Sequence, residues 1–310
     1  MNYSLRRMSS SVTAVALERP STVAALARGL RPRQWIKNLL VFAAPAAAGS
    51  LDDPTRFVHI TIVFAGLCAV SSALYLFNDV RDADADRAHP VKQNRPVASG
   101  ALHVNTAVFA GIVLMAGGVG VVAAVRLTAA GLVLAYVVTA LSYSFGLKHV
   151  AVIELFAVAA GFVLRAGIGA AAAGVPVSSW FLTVTSFAAL AVVVGKRSSE
   201  RHRSDLDPTL TRAVLSQYPA EFLSQIQAIT IGGTLVSYAL WAFERSSDIG
   251  GTGWFLELSC VPFAIATVRY LLLIQRGEAD TPEDALFADR VVVLLGAVWL
   301  LCFVTAVWSL

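Results

Sequence analysis

Four side chains with oxygen donors recur at helical intervals where an apolar run gives way to charge: Asn78, Asp79, Asp82 and Asp86. On a continuing helix Asn78, Asp82 and Asp86 stand at i, i+4 and i+8. Asp79 precedes Asp82 by three residues and Asp86 by seven, so all four share one face. Stacked carboxylates repel, and at a helix C-terminus the macrodipole adds to the cost. A bound cation relieves both. Oxygen-only donors suit a hard ion such as Mg2+, which typically takes one or two carboxylates and completes its shell with water and substrate phosphates. The chemistry this implies is metal-assisted handling of a diphosphate, with Asp79, Asp82 and Asp86 as the catalytic set. The plainer alternative is a solvated acidic helix end.

Cations follow. Arg87, Lys92 and Arg95 lie within the next nine residues and suit phosphate, arginine by forked hydrogen bonds and lysine as a point charge. Taken alone they fit a positive-inside loop equally well, and the acidic helix end beside them tips the balance to phosphate. A second charged stretch holds Lys196, Arg197, Glu200 and Arg201. Lys196 and Glu200 stand at i, i+4, as do Arg197 and Arg201, which suits either a solvated amphipathic helix held by ion pairs or cations for phosphates beside one carboxylate. Tyr143 and Lys148 close an apolar segment. Glu154 and Arg165 lie within another, eleven residues and thus about 16 Å apart on one face. Ionisable residues inside a membrane usually face the protein interior or an aqueous cavity. Near the start, Arg33 and Lys37 are i, i+4 beside Trp35, an interface anchor, and the pair either reaches an anionic head group or simply flanks the span.

The elements that must hold these groups are membrane spans. The chain has 310 residues, 57% hydrophobic and 14% charged, with mean hydropathy +0.69. Soluble domains carry about 25% charged residues, so a soluble domain is excluded, as is disorder. Nine apolar segments are legible: 36–51, 57–78, 104–125, 127–145, 151–173, 178–195, 222–243, 254–275 and 291–309. They predict an all-α polytopic protein of nine transmembrane helices around a central cavity. The first is short. The fifth is rich in Gly and Ala, which marks a closely packed central helix. Residues 1–24 read as a mobile N-terminal segment, without the longer apolar core of a signal peptide, and 25–310 as a single transmembrane domain. Cys68, Cys260 and Cys302 sit in apolar runs without metal-ligand spacing.

Of the 24 Lys and Arg residues, nineteen fall in the N-terminal segment and the loops on its side, against three in the other loops. That bias predicts a multi-pass cell-membrane protein with the N-terminus and the long charged loops in the cytoplasm and, after nine spans, the C-terminus outside. The net charge of +4 is accounted for in this way, and no nucleic-acid partner is expected.

The pattern Asn78-Asp79-x-x-Asp82-x-x-x-Asp86, followed by charged loops after the second, fourth, sixth and eighth segments, resembles the UbiA superfamily of intramembrane prenyltransferases over about residues 25–310. Usual members have a second Asp-rich motif after the sixth span, where this chain has Gly195-Lys196-Arg197-x-x-Glu200. Together with Arg31-Pro32-x-x-Trp35-x-Lys37-Asn38, the stretch Asp86 to Pro96, and Phe145 to His149, this resembles the actinobacterial branch of the family that acts on decaprenyl phosphate. The resemblance implies transfer of the 5-phosphoribosyl group of phosphoribosyl diphosphate to decaprenyl (polyprenyl) phosphate, with release of diphosphate, on the route to decaprenyl-phosphoryl arabinose for arabinogalactan and lipoarabinomannan. It implies Mg2+ held by Asn78, Asp79, Asp82 and Asp86. It also implies substrate contacts among Lys37, Asn78, Arg87, Lys92, Arg95, Tyr143, Lys148, Glu154, Arg165, Lys196, Arg197 and Glu200. The partners would be the two substrates and the bilayer, with a homo-oligomer left open. Two competing readings are a prenyltransferase that moves an isoprenyl group from a prenyl diphosphate to an aromatic or lipid acceptor, and a transporter of an anionic lipid or solute.

Overall fold

A computed structural model describes residues 21–206, 214–278 and 289–308; the N-terminal segment expected to be mobile lies almost wholly outside them. Among the described residues all regular structure is helical. Eight helices are long and apolar enough to cross a membrane: α3 (Pro54–Arg81), α5 (Val104–Val125), α6 (Leu127–Phe145), α7 (Ile153–Ala173), α8 (Ser179–Leu206), α9 (Ala220–Ile249), α10 (Trp254–Gln275) and α11 (Arg290–Trp308). Shorter helices are α1 (Thr22–Gly29), α2 (Ala43–Ala47) and α4 (Ala83–Arg87).

The short first segment crosses differently. Pro32–Phe42 is a 3-10 helix of 11 residues that runs into the 5 residues of α2. At about 2.0 Å per 3-10 residue and about 1.5 Å per α residue, the pair is roughly 30 Å long, the thickness of a hydrocarbon core. Its two ends confirm the passage. Arg31 meets Asp79 near the end of α3, whereas the Ala48 carbonyl accepts from Arg245 near the end of α9, at the opposite face. The described residues thus hold eight span-length helices where nine were expected, and the first expected span is this 3-10 and short α stretch.

Local chemistry explains the ends. Asp53 caps α3 by accepting from the backbone N–H of Thr55 (2.9 Å) and Arg56 (3.1 Å), with Pro54 at the first position. Arg126, in an extended conformation, is the whole turn between α5 and α6. α7 stops at Gly174, whose φ of 67° is left-handed. Asp289 caps α11, accepting from Val291 (2.7 Å) and Val292 (3.2 Å).

Two helices form the centre. Burial within the protein reaches 61% for the apolar stretch of α3 and 50% for α7, against 17% for α5; α7 is the Gly- and Ala-rich segment. The 3-10 segment lies against both. Gly169 of α7 makes this approach possible: a Cβ there would fall 1.7 Å from the Val41 carbonyl oxygen. Val41, Leu67, Val70, Val133 and Ile168 form the core between these elements. On the far side Ala47 of α2, Tyr238 and Trp241 of α9, and Phe303 and Ala306 of α11 pack together, joining the first crossing to the last. Outward-facing apolar side chains such as Phe109, Leu134, Val236 and Leu301 stay exposed, as lipid contact requires.

Candidate active site

The 3-10 segment and α3 are joined along one face of α3. Asn38 donates to Ser71 (3.1 Å) and Cys68 (3.3 Å). The Trp35 indole donates to Ser72 (3.0 Å), and Ser72 in turn donates to the Leu30 carbonyl (2.9 Å). One turn on, the Arg31 guanidinium lies 5.0 Å over the Tyr75 ring. A further turn on, it forms an ion pair with Asp79. Residues 68, 71, 72, 75 and 79 follow the helical repeat, so this row delivers Arg31 onto a carboxylate that is 1% exposed.

Beyond Arg81 the chain turns. Asp82 ends α3 and starts α4, so the single straight face expected for Asn78, Asp79, Asp82 and Asp86 is bent at its third member. Aspartate favours helix ends over interiors because its side chain competes for backbone hydrogen bonds. Asp79 and Asp86, both buried, are bridged by Arg95, whose Nη1 lies 2.7 Å from Asp86 Oδ2 and 3.5 Å from Asp79 Oδ1. Asp82 faces elsewhere, 3.2 Å from Arg81 and 3.9 Å from Lys148. Asn78 is half-buried, and its carbonyl accepts from the Asp82 amide (2.9 Å). Arg87 is exposed, paired with Asp84 and bound to the Ala98 carbonyl (3.3 Å), which ties down the loop after α4. Lys92 is exposed on that loop.

The second constellation surrounds Glu154, which is 0% exposed at the start of α7. Arg197 of α8 grips it with two hydrogen bonds, Nε to Oε1 (2.7 Å) and Nη2 to Oε2 (2.6 Å). The same guanidinium donates to Glu200 (2.7 Å) and Tyr143 (3.3 Å). The Tyr218 hydroxyl reaches Glu154 at 3.4 Å and accepts from the Val152 amide (2.7 Å). Burial pushes the Tyr218 phenol above its usual range, so it remains a donor. Lys196 is half-buried beside this cluster and has no hydrogen bond or ion pair with other described residues.

Arg165 is placed apart from both groups. Although it shares a face of α7 with Glu154, it donates to Asn38 (2.9 Å), the Gly161 carbonyl (2.6 Å) and Tyr136 (2.8 Å). It braces the 3-10 segment against α6 and α7. Lys37 bonds to Gln34 (2.7 Å).

The structure thus gathers Asp79, Asp86 and Arg95, links Asp82 to Lys148, and gathers Tyr143, Glu154, Arg197 and Glu200. Lys148 lies between Tyr143 and Glu154 in the chain, so its pairing with Asp82 connects the end of α3 to the α6–α7 turn. The contacts made by Arg31 and Tyr218 and the Arg269–Asp289 pair (2.7 Å) escape a sequence reading. Arg31 and Asp79 are 48 residues apart, and Tyr218 and Glu154 are 64 apart. The only local sign is Arg31 itself, a cation immediately before a proline. The Arg269 guanidinium holds the Asp289 carboxyl below the usual carboxylate range.

No three acidic, His or Cys side chains converge on one point among the described residues, and the Arg95 guanidinium stands between Asp79 and Asp86. The donor set nonetheless fits a hard divalent ion. It consists of oxygens alone, and Asp79 Oδ2 is buried without a hydrogen-bond partner, a costly arrangement that a cation would relieve.

Comparison with known proteins agrees with this geometry. The UbiA prenyltransferase family matches residues 39–291. The decaprenyl-phosphate phosphoribosyltransferase of Corynebacterium glutamicum is 36% identical over 285 residues, 91% of this chain and 86% of that one. Its counterpart in Mycobacterium tuberculosis (strain H37Rv) is 37% identical over 288 residues, 90% and 92% of the two chains. Among solved structures, a UbiA homolog from Archaeoglobus fulgidus bound to DMAPP and Mg2+ superposes with a TM-score of 0.68 at 17% identity, over 92% of this chain and 99% of that chain.

Proposed function

The chain belongs to the UbiA prenyltransferase family, and we propose that it is a glycosyltransferase of the pentosyl class, moving the 5-phosphoribosyl group of phosphoribosyl diphosphate to decaprenyl or another polyprenyl phosphate. The observation that carries this reading is the similarity, over nine-tenths of the chain, to relatives named for a decaprenyl-phosphate phosphoribosyl transfer. The end of α8 supports it. There the carboxylates Glu154 and Glu200 are bound by Arg197, while Lys196 carries an uncommitted charge.

In the reaction the bond from the ribose C1 to the diphosphate oxygen breaks, and its electron pair leaves with diphosphate. A lipid phosphate oxygen supplies the pair for the new C1–O bond from the opposite face, which inverts the anomeric centre. The nucleophile is already ionised, so no general base is needed. Asn78, Asp79, Asp82 and Asp86 would hold Mg2+, which supplies Lewis-acid neutralisation of the leaving diphosphate. Arg95 and Lys148, beside those carboxylates, bind diphosphate oxygens. Lys196 binds the 5-phosphate, which lies across the ribose from the diphosphate. Arg197 and Tyr143 hold the wall against which the donor rests.

The charge bias along the chain supports a cytoplasmic site, with the N-terminus inside and the C-terminus outside. On this reading the step, synthesis of a lipid-linked pentose for cell-wall arabinan, occurs on the cytoplasmic leaflet.

The test is metal dependence at the bent end of α3. Purified protein should lose transfer in EDTA and regain it with Mg2+. Asp82→Ala should lose transfer at every Mg2+ concentration while keeping its fold. A folded Asp82→Ala protein with full turnover would remove Asp82 from the site.

A further inference from the structure

We infer that Arg31 is a positioning residue that couples metal binding to donor binding, by exchanging its Asp79 carboxylate for a phosphate oxygen. This rests on the proposal that the α3 carboxylates hold a divalent ion beside a diphosphate.

Arg31 is held with unusual definition. Its φ of 53° and ψ of 60° are left-handed, a region that a non-glycine residue enters uncommonly and that clusters at functional sites. Pro32 follows and removes the ordinary helical alternative. The Ser72 hydroxyl on the Leu30 carbonyl, and the Trp35 indole on Ser72, fix the backbone on either side. From this mount the guanidinium rests on Tyr75 and pairs with Asp79. Its side chain is 28% exposed, whereas Asp79 is 1% exposed.

The carboxylate is therefore engaged on one oxygen by a cation that remains open to solvent. Its other oxygen, Oδ2, is buried with no partner. Arg95 repeats the arrangement between Asp79 and Asp86.

A divalent ion on Asp79 must compete with Arg31 for the same charge. Displaced alone, the guanidinium would stand over Tyr75 without an anion. Displaced in the presence of diphosphate, it finds phosphate oxygens, to which a guanidinium donates fork-wise. Metal and diphosphate should thus bind with positive coupling, and by linkage each tightens the other by the same factor. Arg31 is the exchangeable element that carries this coupling, and Tyr75 keeps it parked over the site in either arrangement.

The experiment is calorimetric titration of the full-length detergent-solubilised protein with Mn2+, alone and with inorganic diphosphate. Wild type, Arg31→Gln, Arg31→Lys and Asp79→Asn are compared so that metal–diphosphate association in solution cancels. In wild type, diphosphate should tighten Mn2+ binding by more than its solution association accounts for. Arg31→Gln should bind Mn2+ alone more tightly than wild type, because the competitor is gone. Its diphosphate enhancement should shrink by about tenfold, the effect of one charge-assisted hydrogen bond of about 1.4 kcal/mol. Arg31→Lys should fall between, and it carries the same test if Arg31→Gln does not fold. A merely structural Arg31 predicts the opposite sign, weaker Mn2+ binding alone. That result, or an enhancement unchanged in Arg31→Gln, overturns the inference while leaving the metal site intact. If Asp79→Asn binds Mn2+ as wild type does, the metal reading itself fails, and the inference with it.

Discussion

Glu154 shows how a residue can be legible in the sequence while its partner is not. An ionisable group inside an apolar segment signals function or a buried partner, and its position was legible. Its partner was not, because Arg197 lies 43 residues on and reads equally well as a phosphate ligand or a solvated helix residue. The structure gives three nitrogens of Arg197 to Glu154, Glu200 and Tyr143, which makes it the core of the wall. Removing one partner of a buried ion pair costs about 3–5 kcal/mol, since the remaining charge is left uncompensated. Glu154→Gln should therefore lower the thermal midpoint in detergent by several degrees, and Glu154→Gln with Arg197→Met should recover much of the loss. Equal midpoints for Glu154→Gln and wild type would show the pair to be unimportant. Asp79, Asp86 and Arg95 were all legible as neighbours because they sit within one turn-and-loop. The pairing of Arg31 with Asp79 was not legible, because only the fold brings the two together.

Elements were legible where apolar length decides them. Three of the nine segments, 104–125, 127–145 and 254–275, coincide with α5, α6 and α10. The sixth was expected to end at 195, but α8 continues to Leu206. Hydropathy stops at Lys196, whereas the helix continues because its polar residues are adequate helix formers with partners at i+3. The first segment was short by α-helical arithmetic because its 3-10 rise was not foreseeable from periodicity. Its packing depends on one missing side chain. Gly169→Ala would place Cβ 1.7 Å from the Val41 carbonyl oxygen, forcing backbone apart at a cost of about 1–3 kcal/mol or more. At Gly167 the nearest atom to a new Cβ is Leu132 Cδ1 at 3.7 Å, ordinary contact. Differential scanning of the two variants should show Gly169→Ala unfolding several degrees lower and Gly167→Ala close to wild type. Equal midpoints would mean that the first crossing does not depend on this contact.

At the scale of the whole molecule, eight of the nine expected spans are span-length helices, and an all-helical membrane protein with charged loops was legible from composition and loop charge. The substrate was not: it came from motif resemblance and then from the relatives. On the proposed reading, the fold and the α3 carboxylates would suit prenyl and phosphoribosyl diphosphates alike. On that reading, what separates the two donors is the α8 end, where Arg197 binds both Glu154 and Glu200 and the half-buried Lys196 supplies a cation for phosphate. The most direct measurement is therefore the identity of the transferred group. Purified protein is incubated with Mg2+, polyprenyl phosphate, 4-hydroxybenzoate, and equal amounts of phosphoribosyl diphosphate and a prenyl diphosphate, and the products are resolved by mass spectrometry. A polyprenyl phosphate heavier by one phosphoribosyl group, formed with stoichiometric diphosphate and without prenylated aromatic product, is the result predicted here. A prenylated acceptor with phosphoribosyl diphosphate left intact would contradict it.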